Sequence, residues 1–254
     1  MALVELLGSG NAFLPSGRLH SFLAIDRHII IDCPPTALAS LRIAGISPAD
    51  IDTILITHVH GDHVFGFPFL LLERKYISDR DGLRNLTVAG SSGVKERLIH
   101  LCKLAYPGSL EEIIETINWV DIPEINGWKM ERFEVLHDPE VDPHGWMLSH
   151  EEGWSMIHSG DSGPCDELWT RIGMCDFAVV EMGVPEWVQT EHHHKPSDIL
   201  NLANKYPKTQ IVVTHTYIDS DYQIITKEVP DFPENVIHGE DGMKFELNTK
   251  GRVV

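Results

Sequence analysis

Apolar residues in this chain fall into short runs broken by Gly, Asp and His. In the first quarter, Val4–Leu7, Ser21–Ile25, His28–Ile31 and Thr53–Thr57 read as β-strands. Ala37–Ala44, between the third and fourth, has helical spacing, and Phe65–Tyr76 reads as a helix with Asp62 as its N-cap. A strand at Leu86–Ala89 is followed by an amphipathic helix over Val94–Leu104, with Val94, Leu98, Leu101 and Cys102 on one face. Strands are predicted at Trp128–Leu136, Gly145–Ser149, Ser155–His158, Asp176–Glu181, Gln210–Thr214, Val236–His238 and Met243–Leu247. Helices are predicted at Asp166–Ile172 and at Ser197–Tyr206, the latter started by Pro196. Two groups of strands, each interleaved with helices, predict two sheets packed face to face with helices outside. With no repeat, low-complexity tract or Gly/Ser linker, residues 1–254 read as one domain.

Composition narrows the function. A chain of 254 residues, 43% of them apolar, can bury a large core. No apolar run is long enough to span a bilayer. The amino terminus MALVELLGSGNAF reads as a strand and a glycine turn, not a signal peptide. Cys33, Cys102, Cys165 and Cys175 are scattered without a C-x-x-C pair, which suits reduced thiols in a cytoplasmic protein. The formal net charge of −18 disfavours binding to a phosphate backbone and points to a small or positively charged substrate.

The strongest chemistry lies in Ile54-Leu55-Ile56-Thr57-His58-Val59-His60-Gly61-Asp62-His63. In extended chain His58 and His60 project to the same side. Gly61 permits a tight turn, after which Asp62 and His63 open a helix and point back to the same place. Four such ligands within six residues suit zinc, iron or manganese. Three surface histidines beside a capping Asp would not need a buried strand to deliver them. His137, Asp161 and His215 each follow an apolar β-like run. Singly, each is as readily a turn residue. Together with the first four they make seven ligands, enough for two metals at a common sheet edge.

Thr57-His58-Val59-His60-Gly61-Asp62-His63 resembles the signature of the metallo-β-lactamase superfamily. The extension Val64-Phe65-Gly66-Phe67-Pro68 with Leu70-Leu71, the turn Leu7-Gly8-Ser9-Gly10, and Ile31-Asp32-Cys33, Ser159-Gly160-Asp161 and Thr214-His215 resemble its RNase Z-like phosphodiesterase branch. The resemblance implies a four-layer αββα sandwich, two mixed β-sheets flanked by helices. It also implies two divalent metal ions, Zn²⁺ before Mn²⁺ or Fe²⁺. His58, His60 and His137 would hold one, Asp62, His63 and His215 the other, and Asp161 would bridge them. The branch's additional catalytic histidine falls in Glu191-His192-His193-His194-Lys195-Pro196, where His193 fits best and His194 is the alternative; a solvated polyhistidine loop is the bland reading.

Asp62, Asp161 and His193 are thus the expected catalytic side chains, for attack on a phosphodiester by a hydroxide shared between the metals, with His193 serving the leaving oxygen. Asp32 is read either as a hydrogen-bond partner of a ligand histidine or as a turn cap. Cys165–Thr190 reads as helix, strand and short loop, leaving no room for the basic arm of tRNA-processing relatives. Pre-tRNA is therefore not the expected substrate, and a homodimer is the expected assembly by resemblance. Trp146–Trp154 and Trp187-Val188 are expected either to shape an apolar substrate pocket or to be core and rim residues. The alternatives are a carboxylic ester, thioester or lactone hydrolase using the same site and, from another class, a non-hydrolytic iron-binding redox protein. The latter would need an electron-transfer domain for which the chain has no room.

Overall fold

The computed structural model describes residues 2–218 and 229–247. Its strands are β1 (Ala2–Gly8), β2 (Phe22–Ile25), β3 (Ile29–Ile31), β4 (Thr53–Leu55), β5 (Thr87–Ala89), β6 (Asn118–Val120), β7 (Trp128–Glu134), β8 (His144–His150), β9 (Ser155–His158), β10 (Phe177–Glu181), β11 (Gln210–Thr214), β12 (Val236–His238) and β13 (Lys244–Leu247). Among the described residues one sheet runs β13-β1-β2-β3-β4-β5-β6 and the other β12-β11-β10-β9-β8-β7. Both are mixed. β13 to β3 pair antiparallel and β3 to β6 parallel. In the second sheet β12 to β9 pair parallel, and β9, β8 and β7 antiparallel.

Alternation along the strands makes the layers. Ile29 and Ile31 of β3 face Trp146, Met156, Phe177 and Val179 across the gap between the sheets. Ile30, between them, packs outward with Leu41 of α1 (Ala37–Ala44) and with Phe67 and Leu70. In β10, Ala178 and Val180 turn outward onto Leu168 of α6 (Asp166–Ile172) and Ile199 of α7 (Pro196–Lys205). Parallel strands buried on both faces read as the continuous apolar runs seen in the sequence. The result is the αββα sandwich that the resemblance implied.

The predicted helix Phe65–Tyr76 is interrupted. α2 covers Gly61–Val64 and α3 covers Phe67–Glu73. Pro68 has no N–H to give the carbonyl four residues back, so one helix cannot run through it. At Gly66 a Cβ would stand 1.9 Å from the Pro34 carbonyl oxygen, so the joint is pressed against the backbone after β3. A π-helical turn, Arg74–Ser78, then ends the segment. Asp62 lies inside the first turn of α2, and His60 occupies the N-cap position without a side-chain cap bond. The Asp62 carboxylate faces His215 and His63 instead.

Elsewhere the helix after β5 is α4 (Val94–Ala105), and β6 and the short α5 (Glu111–Glu115) were not anticipated, being too short for periodicity to show. Trp146 and Trp154 do not line a substrate pocket. Both are buried, with Trp146 between the sheets donating Nε1–H to the Ile56 carbonyl at 3.1 Å. Replacing Trp146 by alanine empties that space and leaves the Ile56 carbonyl without its donor. A loss of about 3–5 kcal/mol in denaturant unfolding is expected; a loss below about 1 kcal/mol would contradict this packing.

Candidate metal centre

The chemistry-bearing residues collect where strands of both sheets end. His58 lies three residues beyond β4, Asp161 three beyond β9, His215 directly after β11, and His137 three after β7. All are at one edge of the sandwich, the ordinary location for open sites in layered folds.

Among the described residues they form two four-residue groups whose donor atoms lie within 4.8 Å of one another, and Glu181, His193 and His215 make a third, smaller one. In the first, His60 Nδ1 is 3.1 Å from His58 Nε2 and 3.2 Å from His137 Nε2. Asp161 Oδ2 stands 3.9 Å from His58 Nε2 and 4.0 Å from His137 Nε2. In the second, Asp62 Oδ2 is 3.3 Å from His215 Nε2 and 3.7 Å from His63 Nε2. Asp161 adds Oδ1 at 3.3 Å from His63 Nε2 and Oδ2 at 3.4 Å from His215 Nε2. Tetrahedral ligands of a zinc ion stand about 3.3 Å apart, and the donor separations here run from 3.1 to 4.0 Å.

The donor chemistry fits cations. His63 Nε2 and Asp161 Oδ1 are buried without a hydrogen-bond partner, a state that costs about 1–3 kcal/mol per group when nothing fills it. The outward nitrogens of His58, His63 and His137, in contrast, are occupied, whereas His215 Nδ1 is buried without a partner. Thr57 Oγ1 donates to Asp32 Oδ2 at 2.8 Å, so toward His58 Nδ1, 3.0 Å away, it accepts. His63 Nδ1–H donates to Asp32 Oδ2 at 2.7 Å, and His137 Nδ1–H to the His192 carbonyl at 2.9 Å. Each bond fixes the tautomer that leaves Nε2 as a lone pair aimed inward. Asp32 is therefore the partner of His63 and Thr57, not merely a turn cap. Asp32 and His215 hold left-handed backbone at φ +67° and +48°, strain of a kind that gathers at functional sites.

Charge is concentrated here. Burial opposes ionisation of Asp161, but the His215, His63 and His58 rings outweigh it and hold its carboxyl well below the usual range. Asp62 is likewise lowered, against burial, by His63 and His215. Burial lowers His58 and His137, which favours the neutral rings that metal binding needs. His63 goes the other way: burial lowers it, but Asp161, Asp32 and Asp62 together raise it well above an ordinary histidine.

The histidine tract resolves clearly. His194 is buried, donates Nδ1–H to the Ser162 carbonyl at 2.6 Å and accepts from Trp169 Nε1 at 3.0 Å, so both its nitrogens are structural. His193 faces the centre, its ring stacked 5.9 Å from His215 and set edge-on 4.8 Å from His137. Its Nδ1–H reaches Glu181 Oε1 at 2.8 Å. Burial lowers the His193 pKa, but the Glu181 carboxylate, with Asp161 and Asp62 behind it, raises it to about 9. Sequence reading took Glu181 only as the end of a strand. The available signal was a carboxylate closing an otherwise apolar run. Gly183, also missed, leaves room for this corner: a Cβ there would stand 2.9 Å from His193 Nδ1 and 3.2 Å from His215 Nδ1.

A carboxylate shared by two imidazole-rich groups at the edge of an αββα sandwich defines a metal-dependent hydrolase. The chain belongs to the beta-lactamase superfamily, whose domain model matches residues 27–216. It is 23% identical over 255 residues to a ribonuclease Z of Pyrobaculum aerophilum, covering 85% of this chain and 87% of that one. The fold matches human tRNase Z, short form, with a TM-score of 0.73 at 18% identity, covering 96% of this chain and 98% of that one. It also matches a diphosphatase from the PhnP family, with a TM-score of 0.71 at 18% identity over 97% and 98% of the two chains.

The Glu181–His193 pair gives a direct prediction. In metal-free protein followed by NMR, the His193 ring should titrate near 9, and Glu181→Gln should bring it back toward 6.5. An unchanged titration would mean that Glu181 does not hold the proton.

Proposed function

We propose that this protein hydrolyses a phosphodiester at a pair of divalent cations, with a small phosphodiester as substrate. The observation that carries this is the Asp161 carboxylate, buried and turned to both imidazole groups at once. His58, His60 and His137 would hold one cation, Asp62, His63 and His215 the other, and Asp161 both. The set suits zinc, manganese or iron(II). When bound, such cations lower the pKa of water from about 15.7 toward about 7 and neutralise developing charge on phosphoryl oxygens. Asp62, ionised and partly exposed, orients the attacking water. His193, protonated and held through Nδ1 by Glu181, donates from Nε2 to the leaving oxygen. The reading takes residues 1–254 as one catalytic domain, because each metal group draws on both sheets.

A small substrate is supported by the net charge of −18 and by how the segments between the ligands are used. His137 to Asp161 is taken up by β8 and β9, and Asp161 to His215 by α6, β10, α7 and β11. The relatives named ribonuclease Z favour a second reading, cleavage of an RNA diester by the same centre. A cytoplasmic location is supported by four free cysteines. No helix among the described residues is long and apolar enough to cross a membrane.

Metal analysis of purified protein should find two equivalents of divalent metal. Bis(p-nitrophenyl) phosphate should be hydrolysed with added Mn²⁺ or Zn²⁺, and chelation should abolish it. His60→Ala should reduce turnover more than about hundredfold with loss of metal; unchanged activity would refute the site. p-Nitrophenyl acetate, a lactone and a 3′-extended tRNA run in parallel separate ester and RNA cleavage from the proposed reaction.

His193→Ala should lower kcat by about 10²–10⁴ with metal content intact. Turnover should decline as pH rises through the His193 pKa, since the donor is lost, and Glu181→Gln should move that decline to lower pH. Loss of metal in His193→Ala would show a ligand role instead.

A further inference from the structure

His215 differs from the other buried rings of the centre. It is 5% exposed, and its Nδ1 is buried without a hydrogen-bond partner. Its Nε2 stands 3.3 Å from Asp62 and 3.4 Å from Asp161. A ring that gives its Nε2 lone pair to a cation carries its proton on Nδ1, and that buried proton needs an acceptor.

The backbone shows where the acceptor is. Val179 and Val212 face the opposite sheet, so Glu181 and Thr214, two residues further along the paired strands β10 and β11, face the same way. Continued alternation would send His215 to the outer face, away from Glu181. Its left-handed backbone, at φ +48°, breaks the alternation, and its donor atom groups with those of Glu181 and His193 within 4.8 Å. The two oxygens of Glu181 are unequally used. Oε1 accepts from His193 Nδ1 and from the Ser162 and His194 backbone N–H groups. Among the described residues Oε2 accepts from the Gly183 N–H alone, which leaves it a lone pair. Gly183 also keeps the way open, since a Cβ there would stand 3.0 Å from Oε2 and 3.2 Å from His215 Nδ1.

We propose that Glu181 accepts the Nδ1–H of His215 on Oε2 while it holds His193 on Oε1, and that this bond strengthens cation binding by Asp62, His63 and His215. One buried carboxylate then anchors a metal ligand together with the leaving-group acid. A carboxylate behind a ligating imidazole fixes its plane and raises its basicity, so Glu181 is a positioning residue for that cation. This rests on the two-cation part of the function proposed above and not on which ester is cleaved.

Zn²⁺ affinity, measured by competition with a chromophoric chelator, tests it one group at a time. In His60→Ala, where Asp62, His63 and His215 remain complete, adding Glu181→Gln should weaken Zn²⁺ binding about 10–100-fold. Gly183→Ala, whose Cβ wedges between the two side chains, should weaken the same equivalent. In Asp62→Ala, where the other group remains, Glu181→Gln should leave the affinity unchanged, which an unfolded or loosened chain would not do. His193→Ala should also leave both affinities unchanged. An unaltered affinity in His60→Ala with Glu181→Gln, an equal loss at both groups, or the same loss in His193→Ala would overturn the proposal while the metal centre stands. If Glu181→Gln weakens the one equivalent as expected but wild type hydrolyses no diester, the phosphodiesterase reading fails and the shared carboxylate stands.

Discussion

Asp161 is buried at the edge of the sandwich, where an unpaired carboxylate would cost several kcal/mol. Much of the surrounding architecture answers that cost. The strand ends of both sheets bring imidazoles to within 3.3–4.0 Å of its two oxygens. Those rings alone cannot satisfy every donor and acceptor, since His63 Nε2 and Asp161 Oδ1 stay orphaned. A polypeptide tolerates such a cluster when cations complete it. The apolar packing between the sheets, with Trp146 and Phe177 at its heart, keeps the strand ends from separating to relieve the charge.

Orientation is supplied from outside the cluster. Asp32, after β3, restrains Thr57 and His63 at once, and through Thr57 it reaches His58. One carboxylate from the strand next to β4 therefore sets two rings, one in each group. Glu181 does the same at the far side, gathering the Ser162 and His194 backbone N–H groups and the His193 ring onto a single buried carboxylate. The first sheet thus orients the rings of the H-x-H-x-D-H turn, and the second fixes the ring that borders the mouth.

Much of this was legible in the sequence because the information is local. His58 to His63 lie in one turn, and the period of an extended strand places His58 and His60 together. His137, Asp161 and His215 each follow an apolar strand, so their common edge could be inferred from topology. Glu181 was hidden because it is the last residue of a strand and carries no motif. The choice between His193 and His194 was hidden for another reason: the Ser162 carbonyl and the Trp169 indole that claim His194 arrive from elsewhere in the chain. Phe65–Tyr76 was misread as one helix because its apolar spacing is helical throughout, while Pro68 and the approach of Gly66 to Pro34 decide otherwise. The roles of Trp146 and Trp154 depended on which side of the sheet they faced, and both face the core.

The side chains of the cluster are not equally wet, and the difference shows where a substrate enters. The side chains of His58, His63, His137, Asp161 and His215 are nearly inaccessible, whereas those of His60, Asp62 and His193 are 37%, 17% and 23% exposed. The three accessible groups come from the turn after β4 and from the loop before α7, so the mouth lies between the two sheets. His60 also departs from the other rings in presenting Nδ1 inward, which leaves its Nε2 near Asp138 at 3.7 Å, at the surface. An approaching diester therefore meets His60 and Asp62 on one side and His193 on the other. In the proposed reaction that asymmetry sets direction: water is oriented from the Asp62 side, and the group that departs does so toward His193.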